Sequence, residues 1–238
     1  MFYARWRRLL PSWIDVRPVE WPGRGVRMDE PLATDPCVLA GQLAGELAAQ
    51  FDGPYALFGH SLGAVVAFEL AHGLLDRGTA APVMLFASGA EAPAVRDGSR
   101  WREPLSDEAL MQELRHLQGT PDEALANAEL MRAALPVLRA DFLMCGAYVY
   151  RPRRPLPCPV HVFGGADDET SREALEAWRQ ETSASFALDI LAGHHFFIHT
   201  QQAELIDRIG AALARQSGRS IGLHRSEDHE RVLRPATH

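Results

Sequence analysis

A serine set between glycines, Gly59-His60-Ser61-Leu62-Gly63, is the segment of this sequence best suited to making and breaking covalent bonds. A serine hydroxyl is nearly un-ionised at neutral pH and attacks a carbonyl only when a base takes its proton. Glycines on either side fit a strained strand-to-helix turn whose neighbouring backbones pass too close for a Cβ atom. Such a turn lifts the hydroxyl above the end of a sheet, and the helix that follows aims its first N–H groups at developing negative charge. The bare G-x-S-x-G pattern arises by chance in roughly one chain in fifteen of this length. Its flanks make it specific: Tyr55-Ala56-Leu57-Phe58 reads as a strand, and Ala64-Val65-Val66-Ala67-Phe68-Glu69-Leu70 as a helix.

On such a turn the partners follow the serine in chain order, acid first and histidine second. Of the ten histidines, His195 in Ala192-Gly193-His194-His195-Phe196-Phe197 has the right setting, just past the apolar run 186–191. His194 is its rival and His199 a weaker one, while His60 fits packing within the turn. The acid belongs just beyond the preceding strand, where Val160-His161-Val162-Phe163-Gly164-Gly165-Ala166 ends in Asp167-Asp168. One of these two would hold the imidazole tautomer and stabilise the imidazolium; the other suits a cap for a helix starting near Ser171.

These residues need a scaffold, and short apolar runs alternating with amphipathic runs supply one: an α/β fold with a mostly parallel sheet and crossover helices. The pattern predicts strands at 14–19, 55–58, 82–87, 159–163 and 186–191, and helices at about 38–50, 62–76, 172–182 and 201–215. In the last helix Leu205, Ile206, Ile209, Ala212 and Leu213 share one stripe. The alternation breaks between 92 and 150, where Ser106-Asp107-Glu108 and Thr120-Pro121-Asp122-Glu123 both read as helix starts. A helical insertion between two strands of a parallel sheet is expected to be a lid over the edge where open sheets bind ligands. Of its apolar residues (Leu110, Met111, Leu114, Leu117, Leu130, Met131, Leu135, Leu138, Phe142 and Leu143), about a third are expected to line an acyl-binding cleft and the rest to pack. The domain is expected to span 1–215, followed by a disordered polar tail over 216–238 whose His224, His229 and His238 have no metal-binding spacing.

Composition narrows the function. The chain has 238 residues, 47% of them hydrophobic, which suits one domain with a substantial core. Its 24 Lys+Arg against 31 Asp+Glu give a formal charge of −7, the wrong sign for a nucleic-acid partner. No apolar run approaches the roughly 20 residues that span a bilayer, and no signal peptide follows Met1, so a cytoplasmic protein without a membrane partner is expected. Cys37, Cys145 and Cys158 form no CxxC and are expected to be reduced. The basic clusters Arg5 to Arg8 and Arg151 to Arg154 read as solvated surface, and the absence of GxGxxG and GxxxxGKS leaves no case for a dinucleotide or NTP. No metal and no cofactor is expected.

With these residues placed, the chain resembles the type II thioesterases, α/β-hydrolases that accompany nonribosomal peptide and polyketide synthetases. Glu20-Trp21-Pro22-Gly23-Arg24-Gly25 is similar to the family's "LPGRG", and Phe58-Gly59-His60-Ser61-Leu62-Gly63-Ala64 to its serine turn. Leu135-Pro136-Val137-Leu138-Arg139-Ala140-Asp141 resembles the end of its lid, and Gly193-His194-His195-Phe196-Phe197 its "GGHFF". The resemblance implies His195 as the catalytic histidine. Against "GGxxDP" it implies Asp168 as the acid, with Glu169 where the family has proline. Family members begin with a strand and a glycine-containing loop, "FPYAGGS", ahead of a segment like Phe2-Tyr3-Ala4-Arg5-Trp6; relative to that pattern a strand and one oxyanion donor are missing, leaving the Leu62 N–H, and a natural start upstream is expected.

The resemblance implies hydrolysis of acyl or aminoacyl thioesters from the phosphopantetheine arm of acyl or peptidyl carrier proteins, an editing role, by a protein expected to be monomeric. Two other readings stand beside it: an oxygen-ester hydrolase or acyltransferase of the same fold, and a truncated, non-catalytic carrier-binding protein.

Overall fold

The structure, a computed structural model, describes residues 2–218. His224, His229, His238 and nearly all of the expected tail lie outside the described residues. After short 3-10 turns at Tyr3–Arg8 and Gly25–Arg27, the elements are α1 (Pro36–Leu47), β1 (Ala56–His60), α2 (Leu62–Leu75) and β2 (Met84–Ser88). The insertion carries α3 (Asp107–His116), α4 (Asp122–Ala126) and α5 (Ala128–Ala147), and β3 (Val160–Gly165), α6 (Arg172–Glu176), β4 (Phe186–Leu191), α7 (Phe197–Thr200) and α8 (Gln202–Ser217) complete the order.

The four strands form one parallel sheet in the order β1-β2-β3-β4. Their register aligns His60 with Ser88, Ser88 with Phe163 and Gly165 with Leu191, so the loops after β1, β3 and β4 emerge along one edge. Period-two alternation sorts side chains to two faces. Leu85, Ala87, Val160 and Val162 pack with Phe68 of α2 and with Trp178. Phe86 and Phe163 face the other way, onto the predicted stripe of Leu205, Ile206, Ile209 and Leu213 in α8.

Helix starts follow local chemistry. Asp35 caps α1, accepting from Cys37 and Val38 N–H groups at 2.7 and 3.0 Å, with Pro36 at the first position. Ser106 caps α3 as its sequence indicates, but α4 starts without a side-chain cap. The insertion has its own core of Leu110, Leu114, Leu125, Met131, Leu135 and Phe142, so most of its apolar residues pack within it.

Two expectations need correction. Residues 14–19 form no strand: a strand needs a neighbour to take its N–H and C=O groups, and among the described residues none flanks this segment. The apolar alternation is real but reports packing, since Ile14 and Val16 turn inward onto the α8 side of the core. The helix expected over 172–182 is α6 followed by a 3-10 turn at Ala177–Glu181.

Burial of His72 in the last turns of α2 ties stability to pH. Desolvation, reinforced by the positive charge of Arg153 and opposed by Glu69 and Asp76, pushes the imidazole down from 6.5 to about 4. The unfolded chain therefore binds a proton that the folded chain resists, and stability falls as pH drops from 6.5 towards 4. Stability is expected to be lost progressively between about pH 7 and pH 4 as this group is forced to take up a proton. Denaturant titrations across this range should show a smaller pH slope for His72→Gln than for wild type; equal slopes would remove His72 as the cause.

Candidate active site

Ser61 stands between β1 and α2 with φ 55° and ψ −121°, a left-handed conformation that costs a residue bearing a Cβ about 1–3 kcal/mol. Its N–H donates to the Ser88 carbonyl at 2.7 Å, tying the turn to the end of β2. The Ser61 side chain does not cap the helix it begins. Leu62 follows as the first residue of α2, its side chain packed with Val66, Met144 and Cys145.

The two glycines of the motif differ in role. A Cβ on Gly59 would lie 2.0 Å from the Gly63 carbonyl oxygen and 2.5 Å from the Ala64 nitrogen, contacts with backbone that cannot move aside. A Cβ on Gly63 would meet nothing within 4 Å, so close approach explains Gly59 alone. Gly59→Ala should lower stability by about 3 kcal/mol or more, whereas Gly63→Ala should fold as well as wild type. Thermal unfolding of both variants checks this; equal melting temperatures would contradict the asymmetry.

His195 and Asp168 arrive on the loops after β4 and β3. His195 Nδ1 lies 3.0 Å from Asp168 Oδ2 and 3.3 Å from Oδ1. Their side chains are only 13% and 5% exposed, a setting in which a charged hydrogen bond is little screened by water. Gly165 permits the approach: a Cβ there would sit 2.6 and 2.8 Å from the carbonyl oxygens of Gly193 and His194. Gly193 makes its own turn at φ 107°.

The adjacent aspartate is placed differently. Asp167 is exposed, and its contact with His194 is through its backbone carbonyl, 3.0 Å from His194 Nδ1. It caps nothing: Ser171 itself caps α6, accepting from the Ala174 N–H at 3.1 Å. His199 packs between the rings of Phe2 and Phe196.

His60 is built into the turn. Its Nδ1 lies 2.9 Å from Ser88 Oγ, and its ring centroid is 5.1 Å from that of His195. Gly89 makes room, because a Cβ there would come within 2.6 Å of the His60 ring. Burial, with His195 and His199 nearby, pushes the His60 imidazole well below its ordinary value, so it stays neutral. Since Ser61 follows His60 directly, this ring contact brings the acid–imidazole pair alongside the serine turn. Among the described residues Ser61 Oγ has no hydrogen-bond partner.

The insertion reaches the same place. Gly119 lies so close to the Phe196 ring that a Cβ would approach it to 2.0 Å, and Phe196 meets the His195 ring edge-on at 5.2 Å. Between the insertion's helices lies an open apolar groove of about 390 Å³, lined by Leu114, Thr120, Ala124, Leu130, Met131 and Leu138 and by no residue of the serine turn or of the Asp168–His195 pair. A polar pocket of about 230 Å³ beside Gly73, Asp76 and Arg77 lies at the other end of α2, away from Ser61. Among the described residues no group of three or more His, Cys, Asp or Glu side chains could hold a metal ion, and no helix is long and apolar enough to cross a membrane.

Sequence spacing did not reveal one part of this region, the contact of Arg24 with Asp141. The signal available was an arginine between two glycines and an aspartate in a mostly apolar helix stretch, with no indication that they meet.

Residues 1–213 match the thioesterase domain family. The chain is 41% identical over 215 residues to the linear gramicidin dehydrogenase LgrE of Brevibacillus parabrevis, covering 89% of this chain and 82% of that protein. No GxGxxG dinucleotide fingerprint stands in the present sequence. Among solved structures it resembles RedJ, a thioesterase from the prodiginine pathway of Streptomyces coelicolor, with 38% identity, 89% and 83% coverage and a TM-score of 0.79. It also resembles BorB, a type II thioesterase from the borrelidin biosynthetic cluster, with 38% identity, 82% and 80% coverage and a TM-score of 0.74.

Proposed function

This chain belongs to the thioesterase domain family, among the type II thioesterases of nonribosomal peptide and polyketide pathways, and we propose that it releases acyl or aminoacyl groups from carrier-protein phosphopantetheine through Ser61, His195 and Asp168. It is a serine hydrolase of the α/β-hydrolase fold. The observation that carries the site assignment is the enclosed Asp168–His195 hydrogen bond beside the strained Ser61 turn.

In this reading His195 Nδ1–H donates to Asp168, which leaves Nε2 free to accept the Ser61 proton. Ser61 Oγ attacks the thioester carbonyl, and the Leu62 N–H at the start of α2 donates to the oxyanion. Collapse breaks the C–S bond, and His195 returns the proton to the departing pantetheine sulfur. Water, deprotonated by the same imidazole, then attacks acyl-Ser61; the acyl C–Oγ bond breaks, His195 returns the proton to Ser61 Oγ, and the acid departs. The apolar groove between the insertion's helices offers a surface suited to an aliphatic acyl group. A formal charge of −7 gives no overall attraction to an acidic carrier, so docking is local and transient. The biological outcome is removal of stalled or wrongly loaded groups from an assembly line.

A substrate comparison tests this. One acyl group is offered on a carrier's phosphopantetheine and as an oxygen ester, with expected kcat/KM at least about tenfold higher for the thioester. Turnover of the oxygen ester with an untouched carrier would transfer the assignment to an esterase.

A further inference from the structure

Two segments far apart in the chain, Pro22-Gly23-Arg24-Gly25 and Leu138-Arg139-Ala140-Asp141, meet in the fold. Arg24 Nη1 and Nη2 donate to Asp141 Oδ2 and Oδ1 at 3.1 and 2.7 Å, a two-pronged clasp across 117 residues. The side chains are 27% and 28% exposed, so the pair is partly shielded from water and salt. Resting on the reading above, we infer that Arg24 and Asp141 are positioning residues: their clasp seats the last helix of the insertion against the nucleophile turn and holds Leu62 where its N–H meets the oxyanion.

Arg24 is presented by a rigid loop. It is extended, with φ −147° and ψ 158°, between Gly23 at φ 80° and Gly25 at φ 55°. A Cβ on Gly23 would lie 2.4 Å from Leu32 Cδ2, and one on Gly25 would lie 1.7 Å from Glu20 Oε1. Glu20 closes the loop by accepting from the Val26 N–H at 2.9 Å. Arg27 anchors it further, donating to Glu30 and Glu46 and to the Glu20 carbonyl. Both glycines stand at positive φ, so a side chain at either would strain the loop that presents the arginine.

Asp141 sits on α5 one turn before Met144 and Cys145, and these pack with Leu62, Val66 and Trp21. The Arg24 guanidinium lies 5.1 Å from the Trp21 ring. One junction therefore joins the glycine loop, the first turn of α2 and the end of α5. Two residues before Asp141, Arg139 donates to the Leu105 carbonyl at 2.9 Å and pairs with Asp107, tying α5 to the start of α3 as well. Burial raises the Asp141 carboxyl while Arg24 opposes it, as expected of an acid that depends on its partner. Small displacements at an oxyanion donor have large kinetic effects, up to about a hundredfold for a shift of about 1 Å.

The test is a charge-exchange cycle on the full chain: Arg24→Asp, Asp141→Arg and the double variant, with Arg24→Lys as the conservative change. Each is assayed with an acyl carrier and with a small acyl thioester, rates being expressed per folded molecule. Each single reversal should lower kcat about ten- to a hundredfold on both substrates, with KM changed less than about threefold. The double variant should recover at least about tenfold, and Arg24→Lys should fall between. Wild-type kcat per folded molecule in the single reversals, or losses that follow the folded fraction alone, would overturn the inference. A wild type inert towards both thioesters would instead overturn the functional reading on which it rests.

Discussion

Replacing Ser61 with alanine is expected to lower kcat/KM for an acyl carrier by about 10⁴- to 10⁶-fold, the largest effect of any single substitution in this chain. Without the hydroxyl there is no acyl-enzyme, and His195 and Leu62 are left able only to polarise water and steady charge. Residual turnover well above the uncatalysed rate is expected, because oxyanion contacts and substrate positioning act without the nucleophile. Stability should not fall, since Ser61 is held at φ 55° and its side chain does not cap α2. Single-turnover kinetics with thermal unfolding check both halves; a variant that retains more than about a tenth of wild-type rate would show that another group attacks.

Asp168→Asn is expected to cost about 10⁴-fold in kcat. The amide is close in shape to the carboxylate, but it can donate to His195 Nδ1 and thereby favour the tautomer that carries its proton on Nε2. That imidazole cannot accept from Ser61. Asp167→Asn serves as the matched control: Asp167 meets His194 through its backbone carbonyl, which the substitution keeps. Its kcat should stay within about twofold of wild type. Equal losses in both variants, or the loss in Asp167→Asn alone, would contradict the assignment of the acid.

The serine turn was legible in the sequence because every constraint on it is local. A strand, a glycine with no room for Cβ, a strained serine and a helix lie within a few residues, and Gly59 meets Gly63 and Ala64 across a separation of at most five positions. The choice between Asp167 and Asp168 was not readable from spacing alone, since both stand beyond β3. It depends on Gly165 letting the 193–195 loop settle against the sheet edge, a contact between segments far apart in the chain. Residues 14–19 misled for the same reason. Alternation says which side chains turn inward, but a strand also needs a partner, and pairing is a property of the whole sheet. In α5, the apolar residues alone could not be divided between groove lining and the insertion's own core. Leu135 and Phe142 belong to the core and Leu130 to the groove, while Met131 and Leu138 serve both. The Arg24–Asp141 clasp was the least visible feature, because complementary charges 117 positions apart have no local signature.

The most direct test of the central claim is intact mass spectrometry of an acyl-phosphopantetheinyl carrier protein incubated with wild type and with Ser61→Ala. The prediction is that wild type shifts the carrier to the mass of its free-thiol form, while Ser61→Ala leaves the acyl mass in place over the same interval. Loss of the acyl group with both proteins, or with neither, would contradict a thioesterase acting through Ser61.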